Sequence, residues 1–210
     1  MELRDLFRNL TGYYHPDLKE ENINGEKYRT IILDDVKPNA LFAQAFGASY
    51  GEDSYNKILA ETILDLGNYF NETIGRNLTT IVQAEIGKCI KRVDNSFDFY
   101  PIGEIYKDGE KSKLKSKVDT YWMLKRTQEL LKGVGFENDS GIFVVGHPAH
   151  MQRILGIAEK IGFKPVPLIP FLSDNSWFPK NDAQLWVRSK YFWVPREIAT
   201  RIHHKIKGIM

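Results

Sequence analysis

The sequence predicts an α/β domain in three layers, with a mainly parallel sheet of about five strands flanked by helices. Three observations carry that expectation. Short apolar runs recur along the chain, at Ala40–Phe46, Thr79–Ile86, Ile142–Val145 and Lys164–Ile169. Ala40–Phe46 and Ile142–Val145 are apolar at nearly every position, as suits strands covered on both faces. Stretches with helical spacing alternate with them, and strands alternating with helices of this length imply βαβ units.

The elements follow in order. Residues 1–38 read as an N-terminal extension packed on the domain that fills residues 39–210. The extension carries a possible short helix at Leu3–Leu10 and a short edge strand at Tyr28–Leu33. Ala40–Phe46 is the first buried strand, followed by the small-residue loop Gly47–Ser54. Ser54 is placed to cap a helix, in which Tyr55, Ile58, Leu59, Ile63, Leu66 and Phe70 recur at helical spacing. Thr79–Ile86 is the second strand and Phe97–Ile105, broken by Pro101, the third. Lys107–Lys117 is a charged loop. Asp119 or Thr120 starts a helix that Gly133 and Gly135 end. Ile142–Val145 is the fourth strand, and Pro148 suits the first turn of the helix after it. Lys164–Ile169, interrupted by prolines, is a fifth strand near an edge. Pro195 begins a last helix, Arg196–Ile206.

Composition excludes several classes. The chain has 210 residues, 42% of them hydrophobic and 27% charged, so it can fold around a full core. One cysteine, Cys89, rules out an internal disulfide framework. Residues 1–10 do not resemble a signal peptide, and no run approaches the ~20 apolar residues that span a bilayer. A cytoplasmic protein without a membrane partner is expected. Net charge is +2, which demands no nucleic acid. The aromatic C-terminal segment, with Trp177, Trp186, Tyr191, Phe192 and Trp193, could serve core packing or a homodimer contact.

In such folds ligands bind beyond the carboxyl ends of the strands, and the loops there carry the candidate chemistry. In Gly47–Ser54, backbone N–H groups around Gly47, Ser49, Gly51 and Ser54 could face an anion, although the loop matches neither GxGxxG nor the Walker pattern. Gln83 and Glu85, two apart at the end of a strand, are expected on one face, with Arg153 a possible partner for the carboxylate. His147 and His150 open the helix after the fourth strand. Arg153 lies one turn beyond His150 and on the same face. Imidazoles and a guanidinium at a helix N-terminus suit an anion and acid/base work. His150, His147 and Glu85 are therefore the catalytic candidates. Gly47, Ser49, Gly51, Ser54, Gln83, Thr120, Arg153 and Trp177 are the ligand-binding candidates. His147, His150 and Glu85 could also ligate a metal, but the spacing matches no zinc motif and no bound metal is expected. Asp119 and Thr120 begin their helix near the same edge, with the basic run Lys111–Lys117 before them as a possible lid. Glu197 is expected at the start of the last helix, where its charge suits the dipole.

Val144-Val145-Gly146-His147-Pro148-Ala149-His150-Met151-Gln152-Arg153 resembles the strand–turn–helix signature of the YdcF-like family, the group that includes SanA and ElyC. Ile161–Pro167, Trp177-Phe178-Pro179 and Pro195-Arg196-Glu197 look like later family features, and the likeness covers roughly residues 39–206. It implies a Rossmann-like sheet and a small enzyme of undefined reaction on a phosphorylated or nucleotide-like ligand. It also implies functional roles for Thr120, His150 and Arg153, and nucleotide or S-adenosylmethionine as a possible cofactor. A non-catalytic nucleotide or S-adenosylmethionine binding module is the alternative. Two departures stand out. The first strand ends in Ala43-Gln44-Ala45-Phe46-Gly47 where the family has consecutive glycines, and the second in Gln83-Ala84-Glu85-Ile86-Gly87.

Overall fold

The chain alternates strand and helix around one twisted sheet. The computed structural model describes residues 19–23, 26–30, 38–48, 54–75, 77–103, 106–107, 110–111, 119–136, 141–170, 178, 181–182 and 184–209. Five strands run parallel: β3 (Ala40–Gln44), β4 (Thr79–Gln83), β5 (Tyr100–Ile102), β8 (Gly141–Gly146) and β9 (Lys164–Pro170). A hairpin of β1 (Lys19–Ile23) and β2 (Glu26–Thr30) joins β9 antiparallel and completes the order β1-β2-β9-β8-β3-β4-β5. Of the edge strand expected at Tyr28–Leu33, Tyr28–Thr30 lie in β2, and residues 31–33 are outside the described residues. β2 continues the sheet, with Thr30 opposite Leu168. Pro165 and Pro167 precede the stretch of β9 that β2 pairs, so their missing N–H groups leave no gap in that ladder.

Pleat period explains the three layers. On β3, Leu41 and Ala43 join one core, built with α1 (Tyr55–Tyr69) and α2 (Ala84–Val93). Ala40 and Phe42 join the other, built with α3 (Thr120–Gly133) and α4 (Pro148–Lys160). All four are fully buried, which is why the strand reads as a continuous apolar run. From β3 the chain moves outward to β4 and β5, then returns to its other side as β8 and β9. The order of strands therefore reverses between β3 and β8. The adjoining carboxyl ends, after Gln44 and Gly146, are where a doubly wound sheet opens a crevice.

Local chemistry starts the helices as expected in two places. Ser54 Oγ accepts from the Lys57 N–H, and Asp119 Oδ1 accepts from the Trp122 N–H at 2.7 Å. Three expectations need correction. The second strand stops at Gln83, and Ala84–Val93 is a helix that buries Ile86, Cys89 and Ile90. The third strand shrinks to Tyr100–Ile102, and β6 (Tyr106–Lys107) pairs β7 (Glu110–Lys111) in a small hairpin within the charged loop. The last helix, α5, spans Lys190–Ile206; Ser189 caps it and Pro195 lies inside. Glu197 consequently sits in the second turn rather than at the helix start. No described helix is long and apolar enough to cross a membrane.

The reassigned α2 is directly testable. Ile90→Ala should cost ~2–5 kcal/mol of unfolding free energy in urea melts, whereas Lys91→Ala should stay within ~0.5 kcal/mol. Equal effects would contradict the helix and its buried stripe.

Candidate functional site

A cavity of about 210 Å³ lies at the strand reversal. The ends of β3 and β4 bring Gln44, Gly47 and Gln83 to it, the start of α3 brings Asp119 and Thr120, and α4 brings His150 and Arg153. The far wall comes from α5 and the segment before it: Trp186, Trp193, Arg196, Glu197, Thr200 and His204 among others. Five of the expected residues thus share one hollow: Gly47, Gln83, Thr120, His150 and Arg153. Ser49, Gly51 and Trp177 lie outside the described residues, as do residues 112–117 of the basic run.

Three backbone N–H groups in the described part of the turn after β3 are bonded within the chain, and residues 49–53 of the expected cradle lie outside the described residues. Ala45 N donates to Gln83 Oε1 at 3.1 Å, Phe46 N to Asn56 Oδ1 at 2.8 Å, and Ala48 N to Asp182 Oδ1 at 3.2 Å. Asp182 Oδ1 also accepts from Gln184 N at 2.7 Å. An internal carboxylate therefore stands against the turn where a ligand anion was expected. Gly47 makes room for it: its φ is +85°, and a Cβ there would collide with the Asp182 carboxylate. Ser54 is engaged in its cap and is not part of the cavity wall.

Two catalytic candidates also take supporting positions. His147 is fully buried, and its Nδ1 accepts from Ala149 N in the cap of α4. Its ring stacks on Phe46, with centroids 3.5 Å apart. The cap and the stack fix the ring away from the cavity lining, so an acid/base role does not follow from its position. Glu85 is buried in the first turn of α2 and accepts from Gln83 Nε2 at 2.9 Å. That bond orients the Gln83 amide so that Oε1 receives the Ala45 N–H. The two side chains meet across a strand-to-helix junction, not along a pleat. Glu85 does not line the cavity, and the anion beside Arg153 is another one.

That anion is Glu197. Arg153 Nε lies 3.1 Å from Glu197 Oε1, without the alignment of a hydrogen bond. Arg201 Nε donates to the same oxygen at 3.0 Å and reaches Gln152 through its Nη1. Glu197 is almost wholly buried. Burial disfavours the Arg153 cation and Glu197 offsets this, so its pKa falls but the guanidinium stays charged. Two guanidiniums share one carboxylate here, and of the two only Arg153 lines the cavity. Arg196, stacked 3.8 Å above the Trp186 ring, and the Asp119 carboxylate also line the hollow, so two guanidiniums and two carboxylates edge it.

The buried polar atoms around the hollow are poorly matched. Both ring nitrogens of His150 are buried and make no hydrogen bond among the described residues, as do Gln44 Oε1, Trp193 Nε1 and His204 Nδ1. Gln44 spends its other amide atom on Thr120 Oγ1 at 3.0 Å. Such groups cost free energy unless a ligand or water meets them. Burial, then the Arg153 charge, hold the His150 pKa well below the ordinary 6.5; burial likewise lowers His204. His150 is therefore neutral at pH 7, with one donor and one acceptor to present. Among the described residues no group of three or more His, Cys, Asp or Glu could hold a metal ion.

Comparison with protein-family models, with curated proteins and with solved structures returns no match. The reading of this site therefore rests on its own chemistry. Sequence reasoning passed over Gln44, Asp182, Trp193 and His204. Gln44 had a usable signal: it is the one polar residue in the run Ala40–Phe46, at the carboxyl end of the strand. Asp182 and His204 had none, since only folding brings them to this edge.

Two outcomes are expected. Gly47→Ala should destabilise by ~2–4 kcal/mol in denaturant melts, because it combines a left-handed φ with a clash against a bonded carboxylate; a loss under ~0.5 kcal/mol would refute the Asp182 contact. Stability should also depend on His150. Its folded pKa lies below its unfolded one, so the unfolded chain takes up the proton first. Stability is thus fully present above the unfolded value and declines as pH falls through it. Between about pH 7.5 and about pH 5.5, the melting temperature of His150→Gln should fall less than that of the parent. Parallel curves would show that His150 is not held neutral.

Proposed function

We propose that this chain is a small enzyme acting on a compact phosphorylated ligand, bound in the cavity at the strand reversal. One observation carries the reading. The buried Arg153 guanidinium, held beside Glu197, faces a hollow rimmed by the unmatched polar atoms of Gln44, His150, Trp193 and His204. A ligand with an anionic group and further hydrogen-bonding atoms would satisfy both features.

In this reading Arg153 receives the anionic group and Gln44 and Thr120 fix the neighbouring polar atoms. His150 transfers a proton, since a neutral imidazole can accept one directly. An incoming anion would raise the His150 pKa toward neutrality by Coulombic attraction. The hollow is smaller than the ~300–1,000 Å³ of pockets that enclose drug-sized molecules. It therefore suits a small phosphate ester, or the phosphate end of a nucleotide, better than a whole S-adenosylmethionine. The resemblance of Val144–Arg153 to the YdcF-like family supports the same residues, because its signature histidine and arginine fall on His150 and Arg153. The cytoplasm is the compartment that fits this substrate class.

A specific feature favours the rival, a binding module without chemistry. No carboxylate among the described residues orients His150, as the second partner of a general base usually does.

Titration calorimetry with inorganic phosphate, phosphate monoesters and nucleotides tests the anion site. Arg153→Gln, checked for folding by circular dichroism, should weaken binding roughly tenfold to a hundredfold. No binding by the parent, or no change in the variant, would overturn the proposal. Turnover of a bound ester that drops ~100-fold or more in His150→Gln while affinity persists would establish catalysis. Binding without turnover in both proteins would establish the module.

A further inference from the structure

Helix α5 is amphipathic twice over. Its inner face buries Trp193, Glu197 and His204 against the domain. At about 100° per residue, Tyr191, Pro195, Ile198, Ile202 and Ile206 form a stripe on the opposite side. That stripe points into solvent: Tyr191 is 74% exposed and Ile206 80%. Phe192, 65% exposed, borders it. A helix docked on a domain ordinarily turns charge to water on its outer face, and here the outer face is apolar.

The charges lie at the margins of the stripe. Lys205 flanks one side, and Arg196, His203 and Lys207 the other; all are exposed. The single acid of the helix, Glu197, is buried beneath it. The near-neutral charge of the whole chain conceals this local imbalance. A central apolar stripe with basic residues on both margins matches an anionic lipid surface. The apolar side chains enter the acyl boundary, and the lysine stems reach sideways to the headgroups.

A second copy of the chain fits less well. Pairing two such helices about a twofold axis sets basic margin against basic margin with no exposed acid on the helix to answer. The handful of side chains in the stripe also falls short of the roughly 20–30 residues that each partner gives to a stable interface. We infer that α5 seats the domain on the surface of an anionic membrane through Tyr191, Phe192, Ile198, Ile202 and Ile206, with its exposed lysines and arginine holding the headgroups. The helix lies in the interface plane and does not span. This inference stands apart from the phosphate-site reading, although the two share Arg196.

Vesicle co-sedimentation of the full chain tests it. Vesicles of phosphatidylcholine alone should leave the protein in the supernatant, whereas vesicles with about one third phosphatidylglycerol should carry it down, with release at high salt. Ile202→Ser combined with Ile206→Ser removes only exposed groups, so circular dichroism and the thermal midpoint should match the parent. It should reduce partitioning about tenfold or more. Lys205→Glu combined with Lys207→Glu should reduce it by a similar factor. Equal sedimentation with both vesicle types, or none with either, would overturn the inference. So would a concentration-dependent dimer, abolished by the isoleucine variant, in a protein that ignores lipid. Capture by an acidic partner protein without vesicle binding would do the same.

Discussion

The buried Glu197 carboxylate is the interaction on which the candidate site depends. It takes Arg153 from α4 and Arg201 from its own helix onto a single oxygen, out of water. Burying the Arg153 guanidinium carries a desolvation cost, which the Glu197 carboxylate offsets. Together the three groups retain one positive charge. Their mutual attraction ties α5 across the carboxyl edge of the sheet, so the same contact that closes the fold also sets the Arg153 guanidinium in the wall of the cavity.

Topology places this cluster where a ligand can reach it. The sheet grows in opposite directions from β3, and the gap between the ends of β3 and β8 is left for side chains to fill. They fill it unevenly. In the turn after β3, Gln83, Asn56 and Asp182 take up the N–H groups of Ala45, Phe46 and Ala48. The side facing α4 and α5 keeps unmatched donors and acceptors on Gln44, His150, Trp193 and His204. A preorganised polar wall of this kind exchanges water for ligand with little rearrangement.

Much of the frame was legible from residue patterns. The buried strands announced themselves because both faces are covered, and Ser54 and Asp119 marked helix starts through their capping oxygens. The convergence of His150 and Arg153 with Gly47, Gln83 and Thr120 followed from helix spacing and the strand-end rule. Helix α2 escaped notice for a physical reason. Gln83 stands at its N-cap without a side-chain cap bond, and Ala84-Glu85-Ile86 prolongs the apolar run of β4. The start of α5 was misplaced because Pro195 masked the Ser189 cap upstream of it. Asp182 in the Gly47 turn and Glu197 under Arg153 arise only from tertiary contact. No local pattern distinguishes a carboxylate that will be buried from one that stays solvated.

The proposed role of the cavity beside Arg153 and His150 is to hold an anion. Crystals of the protein soaked in tungstate, a heavy tetrahedral oxyanion of phosphate shape, test it most directly. The account predicts an anomalous peak inside the cavity, with oxygens about 2.7–3.2 Å from the Arg153 guanidinium and a His150 ring nitrogen. Water alone in that hollow, with tungstate bound only elsewhere on the molecule, would contradict it.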